Sequence, residues 1–581
     1  IITVMNNQQL AEIFERIANL LEINGEVVYK TLAYRRAAES LRTFPREASD
    51  LYREGKLTEI PGVGKAIAEK IEELLTTGRL GFLERLEQEV PPTLLELLEI
   101  PDVGPKKVAL FWKQAGITSL MDLESAARDG HLRRLPGIGE KSEQRILAGI
   151  EALRRRSKRM LLGTVRPIGL RWLNWVRTLP GVQQAELAGS LRRWKATVGD
   201  LDLVAAAANP AAVMDAFVHH PEVVRVLAHG ENKSSIELSN GLNVQLWLQP
   251  EEKFGSLLQF VTGSKEHNVR MRELAQRRGL SLSEHGLTTA DGQEHFFSRE
   301  TELYQALGLA WIPPELREDR GEIQAALDHR LPELIVTADL RAELHSHSTW
   351  SDGALSIREM AKAAQSRGLK MLAVTDHTHS LGIANGLDAD RLRQQRKEID
   401  AVQAELGDEF TLLQGAEVEI KADGSLDLPD EVLAELDIVI ASLHVSLRQP
   451  REEITARLLR AIRNPHVDII GHPSGRLLPN REGADLDWEV ILNAAREENV
   501  TLEINANPSR LDLDEVHARR AIELGILLGI NTDAHSPADL ELAEYGVSVA
   551  RRAWVSTAQV LNTWQPTEIR RWLAEHRRKS G

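Results

Sequence analysis

Apolar positions recur at helical spacing through the first 90 residues, where Leu10, Ile13, Ile17, Leu20 and Leu21 fall on one face of a 3.6-residue period with almost no β-branched alternation. That pattern predicts a helical module. Three short segments then resemble one another: Ile60-Pro61-Gly62-Val63-Gly64-Lys65, Ile100-Pro101-Asp102-Val103-Gly104-Pro105 and Leu135-Pro136-Gly137-Ile138-Gly139-Glu140, each leading into a further helical stretch. From Val182 the period shortens, and residues 201–205 and 242–248 read as apolar strands of a mixed α/β sheet. Pro313 and Pro314 should stop any helix, and the polar stretch 317–338 reads as a linker. Beyond Arg341, short apolar runs at 371–375, 467–470, 502–505 and 527–531 alternate with helical stretches, which is the rhythm of a βα barrel.

Composition narrows the function. The 581 residues should form several domains. With 71 Lys and Arg against 86 Asp and Glu, the net charge of −15 rules out a surface that is basic all over, so any nucleic-acid contact must be local. The apolar runs fall far short of the ~20 residues of a membrane span, and Glu12 and Glu15 interrupt the start where an export signal would be apolar. A cytoplasmic, non-membrane protein acting as a monomer is expected. There is no cysteine, so any metal must be held by His and carboxylates.

Three constellations carry chemistry. A Pro-Gly-Val-Gly or Pro-Gly-Ile-Gly turn exposes the N–H groups of the next helix, which can bind phosphate without basic side chains. Gly62, Gly64, Gly104, Gly137 and Gly139 are therefore DNA-binding candidates, although the middle copy departs with Asp102 and Pro105. These segments resemble helix-hairpin-helix motifs. The run Arg154, Arg155, Arg156, Lys158, Arg159 could add phosphate contacts or form a solvated face. In the second constellation, Gly189-Ser190-Leu191-Arg192-Arg193 precedes Gly199-Asp200-Leu201-Asp202. Alternate strand residues share a face, so Asp200 and Asp202 present two carboxylates suited to Mg²⁺ on a triphosphate, with Ser190, Arg193 and the Gly189 backbone as its cradle. The third lies beyond Arg341: His345-x-His347, Asp352, Asp376-His377, Glu417, His444, His472 and Asp533-Ala534-His535, most of them closing an apolar strand where a barrel gathers its catalytic groups. Arg510 could clamp a phosphate or simply face solvent.

Residues 7–330 resemble a bacterial family X DNA polymerase, related to polymerase beta, through Ala33-Tyr34-Arg35-Arg36-Ala37-Ala38, the hairpins, Gly189 to Asp202, Thr262-Gly263-Ser264-Lys265-Glu266-His267-Asn268 and Ile312-Pro313-Pro314-Glu315-Leu316-Arg317-Glu318. The resemblance implies that Gly199, Thr262, Gly263, Lys265 and Asn268 help to bind a deoxynucleoside triphosphate. It also implies that Lys70 matches the Schiff-base lysine of a deoxyribose-phosphate lyase, with Lys30 and Lys65 as cationic neighbours; an exposed helix lysine is the alternative. One departure matters. The family carries a third catalytic Asp where this chain reads Val244-Gln245-Leu246, and a Gln amide supplies no negative charge, so polymerase activity should fall by a factor on the order of 10² to 10³. Ser283-Glu284-His285-Gly286 is a milder departure in the thumb.

Residues 341–575 resemble a PHP phosphoesterase domain. That resemblance implies three divalent ions, Mn²⁺ or Zn²⁺, held by His345, His347, Asp352, His377, Glu417, His444, His472, Asp533 and His535, with His379, Glu419 and Glu503 behind them. The expected organisation is multidomain α/β and all-α: helical lyase-like domain 1–90, helix-hairpin-helix fingers 91–155, nucleotidyltransferase palm 156–255, thumb 256–318, linker 319–340 and a distorted β/α barrel 341–575. Together the resemblances imply a DNA-repair enzyme that binds gapped or recessed-end DNA and nucleotides and trims the 3′ end in the barrel. The rival is a DNA-binding scaffold with a silent palm, whose barrel acts on a small phosphoester such as histidinol phosphate.

Overall fold

The structure is a computed structural model describing residues 5, 7–26, 28–43, 48–60, 62–100, 103–156, 159–380, 384–478 and 483–578. It divides into two compact units, 1–158 and 159–581. The described residues of the first unit are helical. Helices Asn7–Asn24 and Val28–Thr43 bury Leu10, Phe14, Ile17 and Leu21 with Tyr34, Ala37 and Leu41. Tyr34 stacks between Phe14 and Phe82, each centroid 6.0 Å away. Gly64 and Gly104 cap helices Lys65–Thr77 and Pro105–Ala115, and Gly139 precedes Glu140–Arg156. Gly62 (φ 75°) and Gly137 (φ 76°) take the left-handed backbone that lets each turn close. Pro61, Pro101, Asp102 and the side chains of Arg154, Arg155, Arg156 and Lys158 lie outside the described residues.

The second unit contains the palm, the thumb and the barrel. The palm sheet has five strands in the order Val182–Leu187, Asp200–Ala207, Asn243–Gln249, Lys233–Leu238, Val223–His229. Asp200–Ala207 runs parallel to Asn243–Gln249 in a register that sets Asp202 opposite Gln245. A small antiparallel sheet, Leu280–Ser283, Gly286–Thr289 and Glu294–His295, builds the thumb. Residues 319–340, expected as a linker, form a packed stretch: helix Glu322–Leu327 buries Glu322 and Ala326, and Ile335 is buried with its N–H on the Val555 carbonyl at 3.1 Å. Polarity in this stretch reflects hydrogen bonds made by a packed segment, such as Glu322 Oε1 accepting from buried His267 Nδ1 at 2.7 Å.

The barrel consists of seven parallel strands in sequential order, Ala342–Ser346, Met371–Val374, Thr411–Glu419, Ile438–Ser442, Ile469–Gly471, Thr501–Asn505 and Leu528–Asn531. Nearly every strand residue is buried, because helices cover the outside and side chains fill the inside, so these strands read as apolar runs without alternation. A single bridge between Ser346 and Ala534 joins the last strand end to the first. Among the described residues no helix is long and apolar enough to cross a membrane.

Candidate palm and metal centres

In the palm, Gly189 turns the chain at φ 58° so closely over the sheet that a Cβ there would lie 2.2 Å from Asp202 Oδ2. This approach sets Ser190 and Arg193 beside the Asp pair at the wall of one cavity of about 740 Å³, which also includes Gly189, Asp200, Asp202, Gly263, Lys265 and Asn268. Burial and the neighbouring Asp200 charge push Asp202 up to about 7, the electrostatic cost a cation would relieve. Gln245 Nε2 donates to Asp200 Oδ2 at 2.6 Å, and Trp247 Nε1 donates to Asp202 Oδ1 at 3.3 Å.

The remaining palm candidates have structural partners. Gly199 lies against Arg159, whose Nε donates to Thr197 at 2.9 Å, and Gly263 (φ 67°) faces Arg193. Thr262 is buried and accepts from Arg192 at 2.7 Å, while Asn268 is tied to Gln259 and to the Phe260 carbonyl. Arg159, Lys195, Arg272 and Glu318 line the cavity without having been singled out for it. Arg159 reads in sequence only as part of the basic run beside the hairpins; Lys195 lies two residues beyond Arg193, and that proximity is the signal the sequence offers for it. Lys70 is half-buried, its Nζ donating to the Ala66 carbonyl at 3.2 Å and lying 5.2 Å from the Phe82 ring centre. Lys65 is exposed, and Lys30 pairs with Glu26 at 3.4 Å.

At the C-terminal mouth of the barrel, strand ends bring nine side chains into one cluster. His347, Asp352, His377 and His535 form one group; His345, His347, Glu417 and Asp533 a second; His377, Glu417 and His444 a third, with donor atoms within 4.8 Å in each. His472 Nε2 lies 2.9 Å from Glu417 Oε1. His472 (φ 28°) and Asp533 (φ 54°) hold left-handed backbone, a strain on the order of 1–3 kcal/mol each at residues that turn away from their strands. Glu503 sits 2.8 Å from His345 Nδ1 and Glu419 2.6 Å from His444 Nδ1, so each carboxylate accepts that proton and leaves Nε2 toward the cluster. His379 is exposed and pairs with Asp427 at 3.3 Å.

Electrostatics in the cluster are severe. Burial, followed by the charges of His377 and His535, pushes His347 down to about 3. Burial also opposes charge on His444 and His535, but Glu417 and Glu419 around the first and Asp352 and Asp533 around the second lift them to about 10 and about 9. His345 Nε2, His347 Nδ1, His472 Nδ1 and Glu417 Oε2 are buried without a hydrogen-bond partner. Polar atoms are not left so in a packed interior unless something else satisfies them, and an all-nitrogen and oxygen donor set suits divalent cations. Arg510 Nε lies 3.9 Å from Asp533, and its buried Nη1 likewise has no partner.

Comparison with known proteins agrees with this anatomy. Residues 5–80 match the family described as helix-hairpin-helix domain, 94–152 the SAM-like helix-hairpin-helix tandem, 257–318 the DNA polymerase beta thumb and 343–507 the PHP domain. A Bacillus subtilis protein named DNA polymerase/3′-5′ exonuclease PolX is 40% identical over 572 residues, covering 98% of this chain and 99% of its own. A "Probable phosphatase" of Thermoanaerobacter is 35% identical over 251 residues, 41% of this chain and 96% of its own. DNA polymerase lambda of Rattus norvegicus is 26% identical over 341 residues, 54% of this chain and 56% of its own. A relative of that identity along both whole chains, joined to the thumb and the His-rich barrel, means that this chain belongs to the bacterial family X DNA polymerases fused to a C-terminal PHP domain.

Proposed function

We propose that the protein processes 3′ ends of gapped or recessed DNA, the barrel hydrolysing the terminal phosphodiester and the palm binding the incoming nucleotide. The observation that carries this reading is the nine-residue His and carboxylate cluster, with its unpartnered buried donors, at the mouth of a barrel in the same chain as two helix-hairpin-helix segments. Three divalent ions, Mn²⁺ or Zn²⁺, would be held by His345, His347, Asp352, His377, Glu417, His444, His472, Asp533 and His535. The chemistry they supply is polarisation of phosphoryl oxygens and activation of water. Glu503 and Glu419 orient His345 and His444, and Arg510 grips the phosphate with the guanidinium nitrogen that has no protein partner.

In the palm, Asp200 and Asp202 would hold Mg²⁺ with the triphosphate, while Ser190 donates a hydrogen bond to it and Arg193, Lys195 and Lys265 neutralise it. Gln245 brings no charge and donates to a carboxylate oxygen that a cation needs. The palm therefore binds nucleotide but transfers it slowly. Lys70 is the lyase-nucleophile candidate, its Nζ held against the Ala66 carbonyl and the Phe82 ring.

A recessed primer in a gapped duplex, given nucleotides with Mg²⁺ or Mn²⁺, tests the reading: the primer should shorten with Mn²⁺ and lengthen only slowly with Mg²⁺. Faster hydrolysis of histidinol phosphate than of the primer would instead make the barrel a small-molecule phosphatase.

A further inference from the structure

The palm segment that would cradle the triphosphate is held from outside the palm. Arg193 Nε donates to Glu318 Oε1 at 3.0 Å, and Arg552 Nη1 donates to the same oxygen at 3.1 Å. Arg552 Nη1 also donates to the Arg193 carbonyl at 2.7 Å, and its Nη2 to Glu515 Oε1 at 2.7 Å. Arg552 closes the barrel helix Ala543–Arg552 and is buried, at 3% exposure. The same helix meets the palm twice more: Glu544 lies 3.4 Å from Arg166, and Tyr545 packs edge-on against Trp194, the residue after Arg193. Arg166 in turn lies 3.6 Å from the Trp194 ring centre.

We infer that Arg552, a residue of the phosphoesterase barrel, is a positioning residue of the palm's triphosphate cradle. One planar guanidinium fixes both ends of Arg193: it binds the carbonyl directly and, through Glu318, it orients the Arg193 side chain. A lysine at this position could not span the Arg193 carbonyl, Glu318 and Glu515 in one plane. Glu318 needs both cations, because a carboxylate with 13% side-chain exposure must be paired. Removing Arg552 would leave Glu318 to be neutralised by Arg193 and by Lys195, which already lies 3.7 Å from Glu318 Oε2, so both cations would be held on the carboxylate rather than offered to a triphosphate. The inference rests on the palm cavity being a nucleotide site, as proposed above.

The test is the affinity of the full-length protein for a fluorescent deoxynucleoside triphosphate with Mg²⁺, measured beside barrel nuclease activity on a recessed primer. Arg552→Gln should weaken nucleotide binding roughly tenfold, the scale of one well-placed charged hydrogen bond, with nuclease activity kept within about twofold. Glu544→Gln loosens the same interface without touching Arg193 and should leave nucleotide affinity unchanged. In an Arg193→Ala background, Arg552→Gln should add no further loss. Wild-type affinity in Arg552→Gln, an equal loss in Glu544→Gln, or full additivity with Arg193→Ala would each overturn the inference and make Arg552 a mere interface residue. If Arg193→Ala itself binds nucleotide as the wild type does, the reading of the cavity fails first, and the inference with it. Should Arg552→Gln not fold, Arg552→Lys carries the same comparison.

Discussion

Gln245 shows how much one side chain can decide. The parallel register sets it across from Asp202, on the same face as both carboxylates, and its amide nitrogen is fixed toward Asp200 because only a donor can lie 2.6 Å from a carboxylate oxygen. A third carboxylate here would repel Asp200 and Asp202 until a cation joined them; the amide relieves that repulsion by itself and so weakens the demand for metal. In a His345→Ala background, which silences trimming, Gln245→Asp should extend a gapped primer at least roughly tenfold faster, a floor below the usual worth of one transition-state charge. Wild-type extension already near about 1 s⁻¹, an ordinary enzyme rate, would falsify this account. In the barrel, His345→Ala with His347→Ala should abolish Mn²⁺-dependent digestion while affinity for gapped DNA stays within about threefold, because the hairpins proposed to hold phosphate lie on other elements. A digestion assay and a binding titration on the same preparation check both halves.

At the scale of elements, the turns separate glycines needed by the fold from glycines free to serve a ligand. Gly189 combines φ 58° with Asp202 at 2.2 Å from a would-be Cβ, so Gly189→Ala should cost on the order of 1–3 kcal/mol and displace the carboxylate. Gly64 and Gly139 have ordinary backbone and nothing within 4 Å of the same position. Gly64→Ala and Gly139→Ala should therefore lower the melting temperature only slightly, by the cost of alanine at a helix start, while weakening DNA binding several-fold, since an added methyl blocks backbone approach to phosphate. Unchanged DNA affinity in both variants would reduce these hairpins to connections. The repeat was visible in the sequence because a tight turn before a helix needs the same small residues each time. Which glycine tolerates a methyl was not, because that depends on φ and on neighbours far along the chain.

At the scale of the whole molecule, the palm and the barrel share an ion-pair network centred on Glu318. Burial would raise its pKa, but Arg552, Arg193 and Lys195 outweigh burial and hold it at about 2, below the usual 4.5. A carboxyl depressed in the folded state stabilises it above the unfolded pKa and loses that contribution as pH falls through the folded value. Urea unfolding of wild type against Glu318→Gln should thus show a constant difference at neutral pH that shrinks from about pH 4.5 toward 2; a difference independent of pH would show that Glu318 contributes by packing alone. Such a network is invisible in sequence, since Arg193, Glu318 and Arg552 are distant from one another along the chain: Arg193 reads as a phosphate ligand, Glu318 as the end of a motif and Arg552 as an ordinary surface charge. The packed stretch 319–340 escaped sequence reading for the same reason: Glu322 is polar, yet it is buried on His267. What local physics dictates was legible along the chain: the shift from helical to strand period, the glycine turns, the carboxylates on alternate strand positions and the His-rich strand ends. Which distant charges meet follows from packing alone, because the energy of a buried charge depends on the partners that folding delivers to it, and those partners lie on other elements.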